Sequence, residues 1–269
     1  MVRPLGFLVG LGFITALVFA ILTTPLSNEE NVAHKFHEEP RHLALSSDGL
    51  MPHWDKQQLQ RGMQVYKEVC SACHSLHLVA FRDIEALGYS EGQVKTFAKG
   101  FQVPSINPDT GEPATRDGLP SDYFPSPYPN ETAARAANNN ALPPDLSLIT
   151  KAREGGTDYV YSLLTGFQNP PANLPAELKP GTGLHFNPYF ANLNLAMAPP
   201  LTKGQVTFAD GSPNDVKSMA ADVTAFLVWT AEPKLVKRVQ VGWASVLFLA
   251  MFSVLAFLSY RNIWADKKH

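Results

Sequence analysis

Residues 70–74 read Cys70-Ser71-Ala72-Cys73-His74, and they hold both cysteines of the chain. C-x-x-C-H is the attachment signature of a c-type haem. Two thiols three residues apart on one helical turn can each add across a vinyl group of the porphyrin. The adjoining imidazole then falls beneath the iron and supplies a nitrogen ligand. Two other uses of paired thiols fit less well. A redox dithiol needs no adjacent histidine and usually follows a strand. A structural zinc site needs further ligands, and no more cysteines exist to provide them.

An iron held by His74 needs a sixth ligand. Of the six methionines, Met1 is the initiator and Met251 lies inside an apolar run. Met63 and Met219 fall on expected packing stripes, and Met51 lies near the start of the domain. Met197, in Leu195-Ala196-Met197-Ala198-Pro199-Pro200, sits before a Pro-Pro pair that holds a loop extended. Met197 is the preferred ligand, with His185 as its rival. A thioether raises the potential relative to a second imidazole and suits a carrier late in an electron-transfer chain. His34, His37, His42 and His53 belong to a polar N-terminal stretch, and His77, three residues past His74, is expected to point elsewhere.

The motif requires helices to position it. Asp55 can cap a helix that runs through Leu59, Gly62, Met63, Tyr66 and Val69, an apolar stripe at three- and four-residue steps. Gly62, without a side chain, suits close contact with a second helix. Ser212-Pro213-Asn214-Asp215 offers a start for that partner, with a cap and a first-turn proline. Val216, Met219, Val223, Phe226 and Leu227 form its stripe. The two helices are expected to pack together over one haem edge.

Two apolar runs flank this region. Leu5–Leu22 is 18 residues without a charge, preceded by Arg3 and followed by Glu29 and Glu30. It reads as a secretion signal or a retained anchor. Thr23-Thr24-Pro25-Leu26-Ser27 offers a poor cleavage site, and the run exceeds the usual apolar centre of a signal. Val239–Tyr260 is 22 residues without a charge, long enough to span a bilayer. Trp243, Tyr260 and Trp264 stand near its ends, where amphipathic rings favour the interface. Lysines and arginines balance across it, so the positive-inside rule does not orient it. The haem chemistry does, because c-type haem is attached on the outer face of the energy-conserving membrane.

Composition agrees. The chain has 269 residues, 45% hydrophobic and only 17% charged, against roughly 25% charged in soluble domains. Its 22 prolines imply much loop and argue against an idealised bundle or repeat array. The net charge of −2 gives no reason to expect nucleic acid as a partner. Residues 27–233 hold 23 of the 24 acidic residues and 15 of the 22 basic ones, a net of −8. Three segments follow: 1–26, signal or anchor; 27–233, a water-facing haem domain; 234–269, an anchor with a short tail.

From about Gly49 to its C-terminus the chain resembles the cytochrome c1 family, the haem subunits of ubiquinol–cytochrome c oxidoreductase (complex III). The blocks that carry the resemblance are 61–74, 121–130 (SDYFPSPYPN), 134–147 (ARAANNNALPPDLS), 155–167, 186–190, 196–200 (AMAPP) and 221–234. The resemblance implies a mostly helical, cytochrome c-like domain with long loop insertions and a C-terminal transmembrane helix. It implies one covalent haem c on Cys70 and Cys73, with His74 and Met197 as iron ligands. Arg116 would lie near a propionate, and Asn138, Pro143, Pro144 and Tyr159 would line the pocket. A guanidinium matches a buried carboxylate in a bidentate way; the other reading of Arg116 is a solvated loop charge. Implied partners are cytochrome b, a Rieske iron–sulfur protein as donor and cytochrome c as acceptor, in a dimeric complex. The family does not imply the first apolar run as a mature anchor.

The expected function is electron transfer within that complex, without bond chemistry in this subunit. Other readings are an anchored c-type cytochrome of another pathway, a haem enzyme or gas sensor with an open iron, and a structural subunit. The absence of a long Arg- and Ser-rich leader favours a bacterial inner membrane with the haem domain in the periplasm. The mitochondrial intermembrane space is the alternative. Asp109, Glu112, Asp117 and Asp122 are expected to cluster in a Pro-rich loop around Arg116 and to attract a basic carrier.

Overall fold

The computed structural model describes residues 2–23 and 32–267. The Thr24–Ser27 part of the cleavage region, Glu29, Glu30, the boundary at 26/27, Lys268 and His269 lie outside the described residues. The chain divides into residues 1–36 and 37–269.

The first unit contains α1 (Val2–Thr23) and a 3₁₀ turn, Val32–Phe36. Its apolar side chains are exposed along the helix from Leu5 to Leu22. Thr15 and Thr23 return their hydroxyls to the carbonyls of Leu11 and Phe19, which satisfies them without water. Twenty residues, Pro4–Thr23, are long and apolar enough to cross a membrane.

The second unit is mostly helical. Its elements are α2 (Lys56–Glu68), α3 (Glu91–Lys99), strands β1 (Gln102–Ile106) and β2 (Pro113–Asp117), α4 (Glu131–Ala137), α5 (Ile149–Ala152), α6 (Gly156–Thr165), β3 (His185–Phe186), β4 (Asn194–Leu195), α7 (Val216–Ala231) and α8 (Leu235–Trp264). β1 pairs antiparallel with β2, and β3 with β4.

Asp55 caps α2, its carboxylate accepting from the amides of Gln57 and Gln58. α2 crosses α7 at Gly62. A Cβ there would collide with the backbone carbonyl of Asp222 and come within 2.7 Å of Phe226 Cβ. The expected contact is therefore real, and only glycine permits it. Leu59, Met63, Val65 and Tyr66 of α2 and Met219, Val223, Phe226 and Trp229 of α7 are all buried.

Two expectations about α7 need correction. The helix begins at Val216 with Asp215 as its cap, so Pro213 precedes the helix. The Asp215 carboxylate accepts from the amides of Lys217 and Ser218, and Asn214 is tied back to Val206 and Gly204 instead. The buried face is also far wider than a stripe, taking in Asp222, Thr224 and Thr230, because α2, α5 and α6 all pack on this helix. Buried Asp222 is charge-paired to Arg61 of α2, with Nε 2.8 Å and Nη2 3.3 Å from its oxygens.

The supposed Pro-rich loop around Arg116 is the β1–β2 hairpin. Phe81, Phe97, Phe101 and Phe124 pack as an aromatic cluster beneath it, with Phe81 and Phe124 centroids 4.7 Å apart. α8 extends four residues to either side of the expected span, and none of its residues is buried, unlike a core helix.

Candidate functional site

α2 ends at Glu68, and the chain tightens at once into a 3₁₀ turn, Cys70–Ala72. The amides of Cys73 and His74 both donate to the Cys70 carbonyl, at 3.1 and 2.9 Å. The two thiols thus stand one turn apart, with the imidazole next in line. Both are free thiols. Burial, with a smaller contribution from Cys73, pushes the Cys70 thiol up to about 12, so it stays protonated and gains little nucleophilicity of its own.

His74 is held at two points. Its carbonyl accepts from the Tyr66 hydroxyl at 2.9 Å, and Tyr66 is buried in the core. Its Nδ1 lies 2.8 Å from the Pro144 carbonyl. A carbonyl can only accept, so Nδ1 carries the hydrogen and Nε2 keeps its lone pair. Burial lowers the ring's pKa against the opposing pull of the Pro144 carbonyl, which favours the neutral imidazole. A neutral ring with Nδ1 anchored and Nε2 available is the form that ligates a metal.

Asp145, which the sequence reading passed over, fastens the segment that carries Pro144. Its Oδ2 accepts from the Ser75 hydroxyl, the His77 amide and His77 Nδ1 at 2.7–2.9 Å. Its Oδ1 accepts from the Ser147 amide. Burial would raise this carboxyl, but the hydrogen bonds from His77 and Ser147 outweigh it and hold the pKa below the usual range. Leu146 N to Ser75 O and Leu78 N to Ser147 Oγ continue the seam. The only sequence signal was an acid directly after Pro143-Pro144.

The remaining residues fall on separate supports. Asn138 ends α4, and its amide donates to the Tyr128 hydroxyl and the Ala134 carbonyl. Asn139 and Asn140 adopt positive φ of 50° and 63°, a conformation asparagine tolerates, so the Asn run is a helix stop. Asn139 donates to the Gly183 carbonyl at 3.4 Å, which brings the Pro143–Pro144 segment's approach alongside the ribbon of His185. On that ribbon His185 pairs with Leu195, and half-buried Met197 follows two residues later. One rival ligand thus lies in this small sheet and the other two residues beyond its end. Leu193, fully buried at φ 64°, is strained for a non-glycine residue. Its carbonyl accepts from Asn187 N at 2.8 Å, closing the turn that leads to Met197. Nothing in the sequence signalled it.

Tyr159 lies half-buried on α6, packed against the core, and burial raises its phenol against the pull of Arg153. Arg116 stands exposed on β2. Its guanidinium takes a bidentate pair with Asp122, at 2.6 and 2.8 Å, so a carboxylate of the protein already occupies it. A cleft of about 420 Å³ is lined by Phe167, Leu184, His185, Phe186 and Pro199. The larger cavity, about 910 Å³ between α2 and α3, includes neither cysteine nor His74.

Two thiols at vinyl spacing and an imidazole preset for a metal fit a covalently held haem. The family model for cytochrome C1 matches residues 45–267. The chain belongs to the cytochrome c1 family. A cytochrome c1 from Rhodospirillum rubrum is 42% identical over 265 residues, covering 94% of this chain and 95% of that protein. The mitochondrial cytochrome c1 haem protein of Saccharomyces cerevisiae is 44% identical over 225 residues, 84% of this chain and 72% of its own length. A Bradyrhizobium diazoefficiens protein named cytochrome b/c1 is 41% identical over 255 residues, and the match spans only 37% of that longer protein. As a cytochrome c1, the chain is a haem-carrying, membrane-associated component of electron transport in complex III.

Proposed function

We propose that this cytochrome c1 holds one haem c through thioethers at Cys70 and Cys73, with His74 Nε2 and the Met197 sulfur as iron ligands. Residues 27–233 form the haem domain on the periplasmic side of a bacterial inner membrane, 234–269 its anchor and cytoplasmic tail, and 1–26 a signal or second anchor. A mitochondrial inner membrane with the domain in the intermembrane space is the counterpart.

The observation that carries this reading is the hydrogen bond from His74 Nδ1 to the Pro144 carbonyl, inside a C-x-x-C-H turn. It fixes the tautomer and the ring plane before any metal arrives. When bound, haem supplies one-electron exchange without bond making. The residues of the chain do the rest. Tyr66 and Pro144 orient His74, Asp145 secures Pro144, and the Pro199-Pro200 stop extends the loop that presents Met197. Asn138, Pro143, Pro144 and Tyr159 line the pocket. Arg116 neighbours a propionate, a role in which Asp122 would compete for it.

Electrons arrive from a Rieske iron–sulfur protein and leave to cytochrome c, with cytochrome b as the other core subunit of a dimeric complex. The relative whose name joins cytochromes b and c1 supports that association. Replacing Met197 with Leu should lower the midpoint potential by on the order of 100 mV and let carbon monoxide bind the ferrous form. An unchanged potential without carbon monoxide binding would make His185 the ligand to test next. Colour that leaves the polypeptide in acid–acetone would refute covalent attachment.

A further inference from the structure

Beside α8, a loop of the haem domain points apolar side chains outward. Leu50 is 72% exposed, and Met51, at 91%, is the most exposed large apolar residue described. The loop is not slack. His53 N donates to Ser46 O, Asp48 N to Leu45 O, and Leu45 N to the Asp48 carboxylate. Gly49, at φ +80°, makes the turn at the tip, and Pro52 is buried where the chain returns. The conformational entropy of presenting Leu50 and Met51 is thus already spent in folding.

The indole Nε1 of Trp243 donates to the Leu50 carbonyl at 3.0 Å. Trp243 lies five residues past Arg238, about 7.5 Å further along the helix axis at ~1.5 Å per residue. It is inside the uncharged run that begins at Val239. The tip is therefore level with the first turns of that run, beyond the basic group Lys234, Lys237 and Arg238. A peptide carbonyl taken out of water needs a donor, and the indole provides one for Leu50, beside the apolar side chains of Leu50 and Met51. Lys234 and Lys237 near the start of α8 suit anionic headgroups, whereas Arg238 is paired with Glu232.

We propose that the Gly49–Met51 tip is a second membrane contact of this chain, with Leu50 and Met51 seated among the lipid headgroups and upper acyl chains alongside α8. The contact sets the height and tilt of the haem domain over the bilayer. It rests on the reading of α8 as a membrane span. Its occupant is lipid, because the tip is continuous in depth with the lipid-facing start of α8.

Haem attachment consumes both natural thiols, so Met51→Cys gives a single labelling site on a side chain that packs against little. A nitroxide there is measured on the full-length holoprotein in phosphatidylcholine–phosphatidylglycerol vesicles. Collision with oxygen and with a water-soluble nickel chelate is compared against a nitrogen reference. Labels at Met251→Cys on α8 and Glu177→Cys on the exposed surface serve as references. The expected oxygen-to-nickel ratio at residue 51 is several-fold above that at 177 and below that at 251. A ratio at 51 equal to that at 177, with 251 deep, would overturn the lipid contact and leave the span standing. A water-like ratio at 251 would overturn the span, and the proposal with it. The same label in the assembled quinol–cytochrome c oxidoreductase in lipid nanodiscs gives the remaining outcome. Shielding from both reagents there would mean that a protein subunit covers the tip, and the lipid assignment would fall.

Discussion

Two structures bear on His74, and they are built on different principles. On one side, α2 and α7 cross at Gly62, and the buried side chains of both helices hold Tyr66, whose hydroxyl steadies the His74 carbonyl. On the other, the loop Pro143–Ser147 has no regular structure beyond a turn, yet its Pro144 carbonyl sets the imidazole itself. The crossing is stabilised by apolar area and shape, spread over many residues. The loop depends on four hydrogen bonds gathered onto one carboxylate. Packing of the first kind places a helix end. Aiming a single ring nitrogen takes directional bonds, and these concentrate in few atoms.

The difference can be broken first at the crossing. Gly62→Val places side-chain atoms where the Asp222 carbonyl and Phe226 already sit. The helices must separate, and the Arg61–Asp222 pair goes with them. A loss of about 3 kcal/mol or more is expected, read as a lower urea midpoint of the holoprotein, with Soret and aromatic-region signals lost together. Unchanged stability would mean that the helices can part cheaply at this point.

The loop should fail differently. Asp145→Asn keeps the shape but puts an amide where a carboxylate accepted from Ser75 and His77. About 1–2 kcal/mol should be lost, as for a half-buried charged hydrogen-bond acceptor, and the midpoint potential should also shift because His74 is less firmly aimed. The folded-state pKa of Asp145 is depressed. Its stabilisation is therefore complete above the usual carboxylate range and is lost as pH falls through the lowered value. Stability of the wild-type chain should fall toward the variant's in acid, and the two should differ most near neutral pH. A destabilised variant with an unaltered potential would reduce Asp145 to a purely structural brace.

What could be read from the sequence follows the same division. Periodic features were legible: the α2 stripe, glycine at the close approach, the uncharged length of α8. The stripe and the uncharged run each repeat a physical requirement over several turns, and Gly62 stands inside the stripe. The C-x-x-C-H turn was legible because its spacing is the chemistry. The breadth of α7's burial was not, since Asp222 and Thr224 look like surface residues until Arg61 and three neighbouring helices are in place. Asp145 and Leu193 were not legible either. Their roles depend on contacts some 70 residues away in one case and on a single positive φ in the other, and neither leaves a local pattern. The β1–β2 hairpin was hidden by Pro104, Pro108 and Pro113, which suggest loop. Pro104 and Pro113 are nonetheless tolerated in a two-stranded ribbon, where most strand positions face solvent.

The smallest effect concerns neither region but the β1–β2 hairpin, and the structure sharpens it. Of the four acids expected to attract a basic carrier, Asp122 is bidentately paired with Arg116 and also accepts from the Leu119 amide. Asp117 accepts from the Gln102 side chain. Their fields are partly cancelled or committed at short range. Asp109 and Glu112 lie at the exposed turn of the hairpin, where a charge acts across a Debye length of about 8 Å at physiological salt. If the −8 domain steers a basic cytochrome c, the second-order rate should fall as ionic strength rises. Neutralising Asp109 and Glu112 together should flatten that slope, with a rate loss of less than about 10-fold at low salt, the lower end for steering. Asp122→Asn changes the charge by one, on a less exposed side chain, so it should flatten the slope by less than half as much as the pair does. It frees the Arg116 cation while removing an acid, so stability of the hairpin changes more than steering does. Stopped-flow oxidation by a basic cytochrome c over a salt series distinguishes the two variants. A salt slope that Asp122→Asn flattens by half as much as the Asp109/Glu112 pair does would show that total charge, and not its exposure at the hairpin turn, governs the encounter.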